Sequence, residues 1–227
     1  MKLLAVDTSS NACSVALQVA DNVLERHVVE PRAHTRILLP MISQLLADGG
    51  VLLNDLDAIV LGNGPGSFIG MRIGASVVQG LCFGTGIGVV PISSLATVAA
   101  EAFADNACQR VIVAQDARMN EVYVGCFDKS ESGLPEPIES ERIIAVGELP
   151  TVADGLAVAG TAWEKYPELV QADSCGIGPL LPVTVPRARY LLRLGVASAA
   201  AGGSIPPEDL MPAYLRTKVA EIPSRTS

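Results

Sequence analysis

Aromatic and charged residues are scarce in this 227-residue sequence: aromatic side chains make up 4% of it and charged ones 18%. Hydrophobic residues nevertheless reach 49%, so the core must consist mainly of valine, leucine, isoleucine and alanine. That content is enough for one large or two small domains. Acidic residues outnumber basic ones and give a net charge of −8, which repels a phosphate backbone. We therefore expect that the isolated chain does not bind nucleic acid.

Several motifs of catalytic and metal sites are missing. The five cysteines include no CxxC pair, which favours buried free thiols in a reducing compartment. The two histidines, His27 and His34, form neither HxxxH nor HExxH, so we expect no metal site of that type. No GxSxG elbow occurs, and Ser14, Ser67 and Ser76 lack the sequence context of a nucleophile. A peptide hydrolase is therefore the least favoured class of enzyme.

Long apolar runs are absent as well. No segment approaches the roughly 18 uninterrupted strongly apolar residues of a membrane span. The opening run MKLLAV is too short for the apolar region of a signal peptide, and Asp7 interrupts it. We expect a soluble cytoplasmic protein that does not bind a membrane.

The sequence does contain a regular succession of strand and helix patterns. KLLAV, CSVALQV and VLERHVV are three strand patterns, and helical spacing then alternates with short apolar strands. Near residue 105 the opening design starts again in RVIVAQDARMNEVYVGCF, where Asp116 takes the place of Asp7. We predict an α/β fold of two related domains, residues 1–105 and 106–227, with the last segment packing back on the first domain. Within that segment, EDLMPAYLR is predicted to be an edge strand.

The candidate nucleotide site consists of Asp7 and a glycine turn. An aspartate at the end of an apolar strand, before a polar hairpin, holds a nucleotide and its metal in several phosphate-handling folds. Gly64, Gly66 and Ser67 lie in a turn directly ahead of a helix, where free N–H groups attract anions. No lysine follows, which excludes a Walker A loop, and a serine stands where a dinucleotide fingerprint has its third glycine. The alternative is a tight strand-to-helix turn in which Ser67 caps the helix.

Two helices carry more apolar or small residues than one sheet face requires. In HTRILLPMISQLL the apolar side chains spread over roughly 200°, where a helix on one sheet needs nearer ~100°. The helix after the glycine turn has a glycine at every fourth position, and each costs about 1 kcal/mol relative to alanine unless another backbone approaches closely. That backbone belongs either to the same chain or to a partner chain. For a partner chain, the predicted contact residues are Ile37, Leu38, Met41, Leu45, Gly70, Met71, Gly74, Val77 and Val78.

Four stretches, LAVDTSSNACSVAL, HTRILLPMISQLL, GNGPGSFIGMRIG and QDARMNEVY, together resemble the bacterial TsaB (YeaZ) family. The resemblance is strong over roughly residues 1–125 and looser beyond them. It implies the actin/Hsp70-like ATPase (ASKHA) fold, with two RNase H-like domains made of mixed sheets flanked by helices. It also implies a part in adding threonylcarbamoyl to adenosine 37 of tRNAs that read ANN codons.

The same resemblance implies a non-catalytic scaffold without a cofactor. Such a chain binds a TsaD-type transferase subunit in a heterodimer, forms a homodimer when alone, and reaches tRNA only through the complex, on which a TsaE-type ATPase also docks. TsaD-type chains hold a metal with a histidine pair, whereas only His34 lies in the corresponding region here. Gly160 is the lone trace of their glycine-rich adenosine contacts. Asp7 and the Gly64–Ser67 turn would then be vestiges of a nucleotide site.

A second class of function stays open on the residues alone. In a nucleotide-dependent enzyme of the actin or sugar-kinase ATPase type, Asp7 would position a metal-bound phosphate and the Gly64–Ser67 turn would contact it. The two hypotheses differ in whether the isolated chain binds Mg-ATP.

Overall fold

The computed structural model describes residues 1–149, 156–167, 169 and 177–216. Its first sheet has the order β3-β2-β1-β4-β5, in which β1, β2 and β3 are antiparallel and β4 and β5 add in parallel. The strands are β1 (Lys2–Asp7), β2 (Ala12–Val19), β3 (Asn22–Val29), β4 (Ala58–Gly62) and β5 (Gly88–Ile92). This succession confirms the order of elements predicted for the first half of the chain.

Helices cover both faces of the first sheet, which is why β1 is apolar at successive positions. Leu4 shares a core with α1 (His34–Asp48) and α2 (Phe68–Thr85) on one face, whereas Leu3 lies under α5 (Ala188–Ala200) on the other. Each fully buried leucine contributes about 1.5–3 kcal/mol to folding.

The second sheet repeats the design of the first: an antiparallel hairpin, β6–β7, is extended by the parallel strands β10 and β11. Two short strands, β8 and β9, pair with β7. The strands are β6 (Arg110–Arg118), β7 (Glu121–Lys129), β8 (Pro135–Pro137), β9 (Arg142–Ala145), β10 (Leu156–Ala159) and β11 (Ile177–Leu180). One face of this sheet packs against α3 (Ser94–Asp105) and the other against the short helix α4 (Ala162–Lys165).

Two helices each pack on the sheet that belongs to the other half of the chain. Helix α3 falls within residues 1–105, yet Leu95 and Phe103 share their core with the second sheet. Helix α5 falls within residues 106–227, yet it covers the first sheet. The two helices also contact each other. Among the described elements the two sheets are therefore joined through this helix pair, and the division into domains 1–105 and 106–227 stays a prediction.

The segment EDLMPAYLR is not the predicted edge strand. Pro207–Asp209 is one turn of 3₁₀ helix, and residues 210–216 have no regular secondary structure. Pro212 lacks the N–H group that a continuous strand ladder requires. The N–H of Ala213 donates instead to the carbonyl oxygen of Asn63, at 2.9 Å.

The glycines of α2 face the inside of the chain. A Cβ atom on Gly70 would overlap the carbonyl oxygen of Thr8, and one on Gly74 would overlap the Oγ1 atom of Thr8. Gly66 lies against the backbone of Ser9 in the same way. The Thr8 hydroxyl donates to the carbonyl oxygen of Gly70 at 2.8 Å. The glycines thus let α2 approach the β1–β2 turn, so the close neighbour of Gly70 and Gly74 in the single chain is Thr8. Their contact with a partner chain stays a prediction.

A buried carboxyl group lies on α3 near its contact with α5. Glu101 is 9% exposed, and its Oε2 atom has no hydrogen-bond partner among the described residues. Burial raises the pKa of Glu101 to about 7. The surrounding charged and titratable groups are Asp105 on α3, Glu25 on β3, and Arg187, Arg189 and Tyr190 at the start of α5.

Replacing Glu101 by glutamine should therefore stabilise the protein at high pH. Because the folded-state pKa lies above the ordinary value of 4.5, the stability that the neutral form provides is complete below about pH 4.5 and is lost as the pH rises through about 7. We expect Glu101→Gln to gain about 1–3 kcal/mol over the natural chain at pH 8.5 and nothing near pH 4.5. Denaturant unfolding at both pH values measures the difference. Glu131→Gln, on an exposed loop, is the control, and a more stable natural chain at pH 8.5 would contradict the expectation.

Candidate functional site

Asp7 ends β1 inside the protein, with a side chain that is 0% exposed. Its Oδ1 atom accepts hydrogen bonds from the N–H and the hydroxyl of Ser9, both at 2.9 Å, and Oδ2 accepts one from the hydroxyl of Ser94 at 3.1 Å. Gly62 on β4 closes another side, since a Cβ atom there would overlap Oδ2. Burial raises the pKa of Asp7 to about 6, and the hydrogen bonds from Ser9 and Ser94 offset part of the rise.

The glycine turn packs directly on the hairpin that follows Asp7. The N–H of Gly64 donates to the Oγ atom of Ser94 at 3.2 Å, and the N–H of Ser67 donates to the carbonyl oxygen of Ser9 at 2.6 Å. Such amides would bind a phosphate at the start of α2, but here they are used within the chain. The Oγ atom of Ser67 accepts the N–H of Gly70 at 3.2 Å. This bond confirms the prediction that Ser67 caps the helix.

Asp116 ends the apolar part of β6 in the second sheet, as Asp7 ends β1 in the first. Its Oδ2 atom pairs with Lys165 at 2.6 Å, and Oδ1 accepts the N–H of Arg118 at 3.0 Å and the hydroxyl of Tyr166 at 3.1 Å. Burial raises the pKa of Asp116, but the bonds from Lys165, Arg118 and Tyr166 outweigh burial and hold that pKa below its usual range. The charge of this carboxylate is thus compensated by a cation of the chain itself, Lys165.

His34 and Gly160, the other residues considered for a metal or nucleotide site, also have close contacts within the chain. The Nε2 atom of the buried His34 lies 3.1 Å from the carbonyl oxygen of Ala12. Gly160 has a φ of +107° and lies against the backbone of Ala114, where a side chain would not fit. Within the described ranges, no three histidine, cysteine, aspartate or glutamate side chains lie close enough to hold a metal ion.

Most residues predicted to bind a partner are buried in the single chain, where they fill the space between α1, α2 and the first sheet. They are Leu38, Met41, Leu45, Gly70, Met71, Gly74 and Val78. Packing of α1 on both β2 and α2 explains most of its wide apolar face, although Leu39 on that helix is 51% exposed. Ile37 and Val77 are partly exposed. In the single chain the seven buried residues have little surface to offer a partner, and contact with a partner stays a prediction for all nine residues.

The outward side of α2 is apolar or small along its length. Ile69 and Phe83 are 70% and 63% exposed, and among the described residues no atom beyond the adjacent backbone of α2 lies within 4 Å of a Cβ built on Gly80 or Gly84. The helix is long and apolar enough to span a membrane by length and composition alone, which is weak evidence for a span, and only 33% of its residues are buried. We call this side the outer face of α2; it comprises Ile69, Ile73, Ser76, Val77, Gly80, Phe83 and Gly84.

Comparison with known proteins gives the same family in sequence and in structure. The family model described as "TsaD: tRNA N6-adenosine threonylcarbamoyltransferase" matches residues 26–223. The tRNA threonylcarbamoyladenosine biosynthesis protein TsaB of Haemophilus influenzae is 36% identical over 99% of this chain and 98% of its own length. The chain belongs to the TsaB family. The TsaB protein of Escherichia coli is 34% identical over 97% of this chain and 96% of its own length.

A solved structure confirms the fold of this TsaB-family chain. YeaZ from Pseudomonas aeruginosa superposes with a TM-score of 0.84 at 38% identity, covering 94% of this chain and 99% of that one. The prediction of an ASKHA-type α/β fold, with two mixed sheets flanked by helices, is confirmed. The match to the TsaD model shows that the TsaB-family chain is related to the transferase itself.

Proposed function

We propose that this chain is a non-catalytic subunit in tRNA threonylcarbamoyladenosine synthesis, and that it acts by binding a TsaD-type transferase subunit through the outer face of α2. The observation that carries the proposal is the closed site at Asp7. A nucleotide-binding relative needs an ionised, accessible carboxylate and free amides at the glycine turn. Here the carboxylate is fully buried, and the amides of Gly64 and Ser67 donate within the chain.

The outer face of α2 supports the binding part of the proposal. Isolated apolar residues on a surface are ordinary, but a contiguous apolar stripe along one helix is typical of an interaction site. Gly80 and Gly84 have no Cβ atoms, so a second helix can approach the backbone of α2 there. Ile69, Val77 and Phe83 would lose their remaining contact with water on binding.

The finer expectations belong to the same proposal. They are a homodimer of the chain when it is alone, docking of a TsaE-type ATPase on the complex, contact with tRNA only through the complex, and a cytoplasmic location. The net charge of −8 supports the tRNA expectation, because an acidic chain needs a basic partner to hold a polyanion.

Replacing Asp7 by asparagine tests the non-catalytic role. Asparagine keeps the size of the side chain and an accepting oxygen, but it removes the charge that a metal-bound phosphate requires. We expect the variant, reconstituted with the TsaD-type subunit, to keep tRNA threonylcarbamoylation within about twofold, since no transition-state charge is stabilised here. Because the raised pKa makes ionised Asp7 costly above about pH 6, the variant should also be no less stable at pH 8.

Titration of the isolated chain with Mg-ATP by calorimetry completes the test. A folded Asp7→Asn protein that still binds its partner but loses activity by about a hundredfold or more would overturn the non-catalytic role. Sub-millimolar binding of Mg-ATP to the isolated chain, lost in Asp7→Asn, would favour the ATPase-type enzyme instead.

A further inference from the structure

The segment after α5 runs along α2 in the opposite direction and touches both sheets. We call residues 204–216 the C-terminal strap. At its start, Ile205 pairs with Val89 of β5 through two backbone hydrogen bonds of 2.8 and 2.9 Å. In its middle, the carbonyl oxygen of Pro207 accepts a bond from the side chain of Gln79 at 3.0 Å. Near its end, the hydroxyl of Tyr214 accepts a bond from Arg72 Nε at 2.9 Å.

The strap also makes contacts beside the glycine turn. The side chain of Asn63 donates to the carbonyl oxygen of Met211, and the backbone of Ala213 donates to that of Asn63, both at 2.9 Å. These bonds hold Met211 and Tyr214 on the surface, where they are 71% and 40% exposed.

The end of the strap is anchored on the second sheet by Arg216. Its guanidinium pairs with Glu121 at 2.6 Å and donates to the carbonyl oxygen of Ala117 at 2.8 Å. These partners belong to the β6–β7 hairpin, whose tip, Arg118–Asn120, has φ values of +63°, +55° and +57°. Left-handed backbone is costly for residues other than glycine, so external contacts are needed to hold the tip in this shape.

Exposed strap residues continue the outer face of α2. The guanidinium carbon of Arg72 lies 3.6 Å from the centre of the Phe68 ring and 5.6 Å from that of Tyr214. Ile69, next to this cluster, is the first residue of the outer face. Aromatic, methionine and arginine side chains are the types enriched in protein interfaces. A subunit that covers the first turns of α2 therefore also reaches Tyr214 and Met211.

We propose that strap residues 211–216 complete the surface on which the TsaD-type subunit docks, and that Arg216 holds this part of the surface in place by anchoring the strap to the second sheet. This inference rests on the proposed function. Its consequence is that the position of the β6–β7 hairpin controls how well the partner is bound. Arg216 is a positioning residue, acting through Tyr214 and Met211.

A double-mutant cycle on the full-length chain tests the inference. Tyr214→Ala should weaken binding of the purified TsaD-type subunit about tenfold, through loss of an interface aromatic. Arg216→Ala should weaken it by a similar factor and speed hydrogen exchange at the Ala213 amide, which the seated strap protects. Because both substitutions act on the same surface, the double variant should also bind the subunit about tenfold more weakly. Two independent sites would instead weaken binding about a hundredfold. Arg142→Ala, which removes an arginine that is also ion-paired but is more exposed than Arg216, should change neither quantity.

Each other outcome has a definite meaning. Unchanged affinity in both single variants would remove the strap from the docking surface. Additive losses in the double variant would show that Arg216 does not act through Tyr214, and would overturn the anchoring role. Gly80→Leu, measured in the same series, distinguishes a failure of the proposed strap from a failure of the proposed docking on the outer face of α2. Loss of binding in Gly80→Leu with none in the strap variants refutes only the strap, whereas full binding by Gly80→Leu refutes the outer face of α2 itself.

Discussion

Gly80→Leu is expected to leave the single chain folded and to abolish its association with the TsaD-type subunit. Within the part of the chain that the structure describes, no atom beyond the adjacent backbone of α2 lies within 4 Å of a Cβ atom at this position, so a leucine fits without disturbing the core. It should even stabilise α2 by up to about 1 kcal/mol, because leucine is a better helix former than glycine.

The loss of association follows from the bulk of the new side chain. The leucine side chain would hold the backbone of α2 away from the backbone of the partner subunit and open gaps along the interface. Apolar contact there is worth about 25 cal/mol per Å². Losing ~100–200 Å² would cost about 2.5–5 kcal/mol, or roughly two to four decades of affinity. Size-exclusion chromatography and calorimetry with the partner, beside a thermal melt of the isolated chain, measure both effects.

A matched control is available on the second sheet. Apart from its neighbours in sequence, no described residue has an atom within 4 Å of a Cβ built on Gly147, which lies in a 3₁₀ turn far along the chain from α2. Gly147→Leu should bind the partner like the natural chain. If Gly80→Leu melts at a lower temperature, the outer face of α2 is covered within the chain itself. If it stays folded and binds normally, the partner uses another surface.

Gly70→Ala is expected to have the opposite effect and to destabilise the chain before any partner is present. The added methyl group would overlap the carbonyl oxygen of Thr8, a backbone atom that cannot rotate away. The β1–β2 turn or α2 must then shift, and overpacking of this kind costs about 3 kcal/mol. The shift would also break the 2.8 Å bond from the Thr8 hydroxyl to the carbonyl oxygen of Gly70.

Gly80→Ala is the control for Gly70→Ala, because it makes the same chemical change on the same helix at an open position. Gly80→Ala should raise the free energy of unfolding by up to about 1 kcal/mol, whereas Gly70→Ala should lower it. Denaturant unfolding of the isolated chains gives both numbers. Equal stabilities for the two alanine variants would mean that α2 does not approach the β1–β2 turn as closely as the structure shows.

The regular elements of the first half could be predicted because their signals are local. Alternation in CSVALQV and helical spacing in HTRILLPMISQLL depend only on neighbours along the chain. The helix cap at Ser67 is equally predictable, since a serine directly ahead of a helix accepts a hydrogen bond from a backbone N–H of the first turn. EDLMPAYLR was misread as a strand because its contacts are side-chain and single backbone bonds to distant residues such as Asn63.

The site was harder to predict because its decisive partners are remote. Ser94 donates to Asp7 across 87 positions of sequence, and no spacing rule connects the two. Lys165 neutralises Asp116 from 49 positions away. The two serines at the start of α3, Ser93 and Ser94, are a visible signal of a helix cap, but not of a bond to a carboxylate.

The sequence by itself determined that a chain approaches α2 closely, that Asp7 ends a buried strand, and that the fold is of the ASKHA type. Only the tertiary structure decided which chain approaches: Gly70 and Gly74 receive Thr8 of the same chain, while Gly80 is left open. The physical reason is that glycine spacing fixes a helix face but not its neighbour. That neighbour depends on the rotation of α2 about its axis, which the packing of buried residues such as Val78 on the first sheet sets.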